Sequence, residues 1–139
     1  MGGFGAVLGF LSVVLATVIG SAVTSLVITP VFEMRNLPTR VEKDLTAHRH
    51  TITNPGGSSS DTRIDDAKMT LREDASELTA KADALPFYRI WSGVRLVPPR
   101  EDVEQAHKNL IFLSNRLSTG DSRENDNKIK EIEELLNIG

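Results

Sequence analysis
Hydrophobic positions in this chain follow two different rules. From Gly2 to Phe32 no residue carries a charge, a run of 31 uncharged positions. Beyond Glu33, apolar residues recur at helical spacing with charged residues between them. The first regime predicts a membrane helix and the second a set of amphipathic helices.

Crossing a hydrocarbon core about 30 Å thick takes roughly 20 residues at a helical rise of about 1.5 Å each. Residues Phe4 to Ile28 supply that length with a surplus that tilt can absorb. Lipid offers no partner to backbone N–H and C=O groups, so the segment closes them internally as helix. Pro30 has no N–H to continue the ladder, and the helix is expected to bend or end near it. A cleaved secretory signal would carry a basic start and a shorter apolar core. Met1-Gly2-Gly3-Phe4 has no Lys or Arg, so a retained anchor is expected. A myristoylation reading of the same start is set aside because Ala6 stands where Ser or Thr is needed.

Small residues form a stripe along this segment. Gly5 and Gly9 make a G-x-x-x-G pair, and Ser12, Ala16, Gly20 and Thr24 continue it. Such stripes let two helix backbones approach closely. The partners expected are therefore the lipid bilayer and, through the stripe, either another membrane protein or a second copy of this one.

After the anchor the periodicity divides the chain in order. Residues 33–53 read as a basic juxtamembrane segment, with Val41, Leu45 and His48 on one face of a short helix after Pro38 and Thr39 as its cap. Residues 54–60, Asn-Pro-Gly-Gly-Ser-Ser-Ser, read as a flexible linker and a domain boundary. Residues 61–139 then form a small helical domain of about three helices. In the first, Ile64, Leu71, Leu78 and Leu85 stand seven apart with Ala67, Ala75 and Ala82 between them. That narrow stripe suits a short coiled-coil-like pairing or a core-facing edge, and Lys68 interrupts the heptad. In the second, Val103, Ala106, His107, Leu110, Leu113 and Leu117 share a face, from Pro99 as first residue to Gly120 as terminator. In the third, Ile129, Ile132, Leu135 and Leu136 oppose Glu131, Glu133 and Glu134 from Asp121 or Ser122 to about Asn137. The fold class is all-α, with one N-terminal transmembrane helix.

Between the first two helices lies the most distinctive soluble stretch, residues 86–100. It holds the only Tyr and the only Trp, and carries Arg89, Arg95 and Arg100 with no acid. A helical turn from Pro86, stopped by a left-handed Gly93, is expected. Phe87, Tyr88 and Trp91 then either pack the core while the arginines pair with acidic helices, or lie at a membrane surface, or meet a partner.

Charge and composition narrow the function. The net charge of −3 is too mild for a nucleic-acid surface, and no nucleic-acid partner is expected. Lys and Arg are absent before the anchor, whereas Arg35, Arg40, Lys43 and Arg49 follow it. This bias places the N-terminus outside and the C-terminal domain in the cytoplasm. Zero cysteines exclude disulfides, thiolate metal sites and cysteine nucleophiles. His48 and His50 lack the third and fourth ligands a zinc site needs, and a lone His107 on an apolar face reads as a satisfied core histidine. No catalytic, dinucleotide or calcium-loop motif occurs. An enzyme, a cofactor, a metal and a small-molecule substrate are all not expected. The expectation is a membrane-anchored, non-enzymatic interaction or assembly protein that docks a partner at the membrane. The alternative is an oligomeric membrane-permeabilising or channel-forming, holin-like subunit.

Overall fold
A computed structural model describes residues 2–57 and 59–139. Met1 of the expected anchor and Ser58 of the expected linker lie outside the described residues. Every described element is helical, with no strand, and one long apolar helix lies at the N-terminus.

That helix does not stop at Pro30. It comprises α1 (Gly2–Val23), a π turn (Thr24–Ile28) and α2 (Thr29–Thr53), and the span Gly3–Thr53 is a continuous 51 residues. The π turn explains the continuity. The Thr29 N–H donates to the Thr24 carbonyl, five residues back. A turn widened in this way gives room to a proline ring that would otherwise press on the carbonyl four residues before it. Pro38 also lies inside α2 and is buried, so no helix starts after it and Thr39 is not a cap.

The helix changes environment near Val31. Residues 3–26 are exposed on every side. From Val31 onward one face is buried, through Met34, Leu37, Val41, Leu45 and Ile52. The stretch 33–53, which sequence reading sets apart from the domain, is thus one wall of its core. Met34, Val41, Leu45 and Ile52 are each at most 1% exposed. Burying a side chain of this kind contributes about 1.5–3 kcal/mol. Four together rival the net stability of a whole small domain, about 5–15 kcal/mol.

Three further long helices complete the core: α3 (Asp61–Ala84), α5 (Arg100–Ser114) and α6 (Ser122–Leu135), with the short α4 (Tyr88–Gly93) between α3 and α5. In order they run up, down, up and down, and each packs on its chain neighbours while α6 closes the ring on α2. This is a four-helix bundle, one helix more than the periodicity after residue 60 predicts.

The turns fix that topology. Asn54 to Ser60 reverses the chain between α2 and α3. Gly57 N–H donates to the Asn54 carbonyl at 3.1 Å, and Gly56 takes a left-handed φ of 70° that suits glycine. Ser60 caps α3 by accepting from Arg63 N–H at 3.3 Å. The expected linker is therefore the turn of a helical hairpin. Helix α5 ends at Ser114, earlier than the expected Gly120. The following loop still buries Leu117 and closes with Gly120 N–H on the Arg116 carbonyl at 3.0 Å. A Cβ on Gly120 would meet that carbonyl oxygen at 2.6 Å, so the position admits glycine alone. Asp121 caps α6, accepting from Arg123 and Glu124 N–H at 2.8 and 3.1 Å.

Polar side chains, buried at Asn125 and more exposed elsewhere, tie the bundle into register. Asn125 donates to the Ile52 carbonyl at 2.9 Å and the Arg116 carbonyl at 3.4 Å, joining α6, the end of α2 and the α5–α6 loop. Arg72 on α3 reaches Asn115 at 3.0 Å. His107 packs between α5 and α3. Its Nδ1–H donates to the Ala75 carbonyl at 2.7 Å, and the Thr79 hydroxyl lies 3.1 Å away.

Candidate functional site
Two regions hold the residues singled out by sequence, and the bundle places them at one end. Consider first the exposed helix. Gly5, Gly9, Ser12, Ala16, Gly20 and Thr24 all lie on its exposed length, and added Cβ atoms at Gly5, Gly9 and Gly20 would meet nothing within 4 Å. The stripe is an open, shallow surface. Two threonine hydroxyls of this helix are satisfied within it: that of Thr24, in the stripe, donates to the Gly20 carbonyl, and that of Thr17, outside it, to the Val13 carbonyl, each at 2.9 Å. A hydroxyl bonded four residues back carries no unpaired donor into an apolar medium.

The second region is residues 86–100. Helix α3 runs antiparallel to α2, as three contacts along its length establish. Ser59, just before α3, faces Thr51 at 3.4 Å; Arg40 meets Glu77 at 2.7 Å; and Lys81 meets Glu33 at 2.8 Å. The C-terminal end of α3 therefore lies at the end of the bundle from which the apolar helix leaves. The four steps from Lys81 to Leu85 rise a further ~6 Å in that direction. Helix α4 follows from this end and packs on α5.

Within the segment the residues separate into two groups. Tyr88 and Trp91 are half-buried against the core. The Tyr88 hydroxyl donates to the Pro98 carbonyl at 2.6 Å, and the Trp91 indole N–H to the Pro86 carbonyl at 2.9 Å. Arg100 pairs with Asp83, reaches Glu104 at 3.8 Å and lies 5.6 Å from the Tyr88 ring centre. These three hold the segment on the bundle. Phe87, Ile90 and Val94 do the opposite: spaced i, i+3 and i+7, they point outward at 69%, 59% and 59% exposure. Arg89 and Arg95 are exposed beside them, and among the described residues neither has a carboxylate within 4.0 Å.

The left-handed residues here are not glycines. Phe87 and Arg95 adopt φ of 56° and 61°, whereas the expected left-handed Gly93 closes α4 in helical conformation. A side chain held in that region stores about 1–2 kcal/mol of strain. Between this segment, the start of α2 and the C-terminus lies an open groove of about 570 Å³. Arg35, Pro38, Arg95, Val97 and Ile138 line it, with Asp102 and Glu134.

The cations expected to follow the anchor are divided by the fold. Arg49 reaches Asp126 at 3.0 Å and Glu133 at 3.4 Å, so it joins α2 to α6 near the far end. Lys130 and then Arg49 hold Asp126 below the usual carboxylate range. Arg40 is the hub between α2 and α3, near Asp44, Glu73, Asp74 and Glu77 at 2.7 to 3.9 Å. Asp74 is fully buried, and its carboxyl is pushed up to about 8, first by burial and then by Asp44, with Arg40 opposing. Sequence reading missed this centre because Asp74 sits in an acidic run that reads as a solvated face. Arg35 and Lys43 stay exposed, neither with a carboxylate within 4.0 Å among the described residues, and of the two Arg35 lies in the groove beside residues 92–99.

Among the described residues, no group of three or more His, Asp or Glu side chains converges as a metal site would require. The arrangement offers surfaces: an apolar exposed rod and, at its junction with the bundle, an apolar and basic patch. No family model, no curated protein and no solved structure matches the chain.

Proposed function
We propose that this chain is a single-pass, membrane-anchored interaction protein without enzymatic activity, whose four-helix bundle docks a partner at the membrane. One observation carries the reading. A single helix is exposed and apolar on all sides over residues 3–26, then becomes one wall of a packed bundle without a break. Exposed side chains such as Phe4, Phe10, Leu11, Leu15 and Leu26 are 56–73% accessible and would be costly in water. In lipid they are at home, and the length suffices to span. The unbroken junction means that the bundle is held at a fixed height and rotation relative to the span, as suits a docking platform. The cations that follow the span orient the bundle to the cytoplasm.

Purification from native membranes in mild detergent through a C-terminal tag tests the reading. The expected result is retention in the membrane after an alkaline wash, then co-purification of a second protein in fixed ratio. Release by the wash overturns the anchor. A homo-oligomer that collapses membrane potential on overexpression overturns the adaptor reading in favour of the channel-forming one.

A further inference from the structure
The bundle end that carries the exposed apolar helix is also the end at which apolar side chains and unpaired cations are gathered. Phe87, Ile90 and Val94 project from α4 and its flank, Arg89 and Arg95 stand beside them in the same segment, and Arg35 shares the groove with Gly93 and Arg95; among the described residues none of the three cations has a carboxylate within 4.0 Å. The acids nearest this end are partly engaged: Glu33 by Lys81 and Asp83 by Arg100. Asp102 and Glu134 line the groove, and Glu101 is exposed in the first turn of α5.

We infer that this end is a second membrane contact, in which Phe87, Ile90 and Val94 enter the headgroup region while Arg35, Arg89 and Arg95 bind anionic phospholipid. The inference rests on the anchor reading and adds to it how the bundle sits. Three features select a lipid surface. The patch follows the C-terminal end of α3, and with Lys81 at Glu33 the antiparallel rise puts Leu85 roughly level with Thr29, at the end from which the span leaves. Its apolar residues recur on one side with basic residues flanking them, the pattern of interfacial segments. It is braced within itself by the Tyr88 and Trp91 hydrogen bonds to the Pro98 and Pro86 carbonyls, and the same two rings pack on the core while Phe87, left-handed, stays exposed. Seated this way, the bundle stands on the bilayer at two points, its own helix and α4.

The chain has no cysteine, so single cysteines can be introduced for labelling without background. The full chain is reconstituted in nanodiscs of phosphatidylcholine and phosphatidylglycerol, carrying a fluorophore at Leu15→Cys, Ile90→Cys or Met69→Cys. Nitroxide-labelled lipids serve as quenchers. Met69 is 67% exposed on α3, towards the end away from the span, and serves as the aqueous control. The expected result is strong quenching at Leu15 and Ile90 and none at Met69. Adding Arg89→Glu and Arg95→Glu to Ile90→Cys should cut the docked-to-undocked ratio by at least about 25-fold, at roughly fivefold per cation lost before the added negative charges are counted. Both substitutions are at exposed positions, and unchanged helical circular dichroism verifies the fold. Quenching at Leu15 with Ile90 at the Met69 level overturns the second contact and leaves the anchor standing. Failure at Leu15 overturns the anchor and the second contact with it. An Ile90 label shielded from aqueous iodide yet untouched by lipid quencher shows that protein covers the patch, and overturns the lipid assignment. Unchanged Ile90 quenching in the double glutamate variant overturns the role given to the arginines.

Discussion

At the scale of single residues, the most consequential side chain is Asp74. Its carboxyl is buried against Asp44, and Arg40 neutralises only part of the cost. The folded chain holds the Asp74 proton up to about 8, whereas the unfolded chain releases it near 3.8. The folded state therefore binds more protons between these values, and its contribution to stability is lost as pH rises through that window. Denaturant melts across the window should show stability declining towards pH 8 and then levelling. Asp74→Asn keeps the shape and removes the charge. It should flatten that slope and raise stability at about pH 9 by on the order of 1–3 kcal/mol. An unchanged slope in the variant would show that the proton is held elsewhere. Asn125 offers a contrasting case, because its amide joins two carbonyls from different parts of the chain. Asn125→Ala leaves both without that donor and should cost about 1–3 kcal/mol in the same assay, independent of pH.

At the scale of elements, the decisive one is α2. Its buried face belongs to the same helix as the apolar rod, and Leu45 is 1% exposed in the core. Leu45→Ala should cost about 2–5 kcal/mol, the range for a buried leucine. A solvated segment beside the membrane would lose almost nothing on the same change. The upstream element makes a different prediction. Gly9→Leu with Gly20→Leu fills two open positions of the small-residue stripe and should abolish helix-to-helix crosslinking in membranes. Crosslinking that persists would show that the stripe is lined by lipid alone. Legibility differed between these elements for a physical reason. A helix that is long and apolar enough to cross a membrane is legible from composition, because the uncharged run needs no partner to be seen. An amphipathic wall with eight buried positions among 25 residues resembles a polar stretch until its partner helices are known.

At the scale of the whole molecule, the unit of folding is the four-helix ring. A fragment of residues 61–139 lacks one wall and should show no cooperative thermal transition. A fragment of residues 29–139 should unfold in one step, and helical circular dichroism during heating distinguishes them. Cooperative melting of the shorter fragment would mean that three helices suffice and that α2 merely lies against them. The same ring accounts for the placement of charge. Arg40 and Arg49 face acidic residues of α3 and α6, and the basic segment 86–100 is carried to the end where the rod leaves.

The sequence by itself determined the apolar span, the all-helical class, three amphipathic helices with their caps near Ser60 and Asp121, and the satisfied state of His107. Each of these rests on a local signal: an uninterrupted apolar run, a repeat near 3.6, a capping side chain, or a polar atom on an apolar face. Tertiary structure alone decided what crosses between elements. It reversed the chain after Asn54 by giving α2 a neighbour to fold back on, whereas the passage through Pro30 is a local widening of one turn that buries nothing. It also buried Asp74 by closing α3 against Arg40. Residues 86–100 were split between core and surface in the same way. Tyr88 and Trp91 found carbonyls to bond, and Phe87, Ile90 and Val94 had only the outside of the bundle left to face. Contacts between segments distant along the chain leave no periodicity in either segment, so they come into view only when the helices are set side by side.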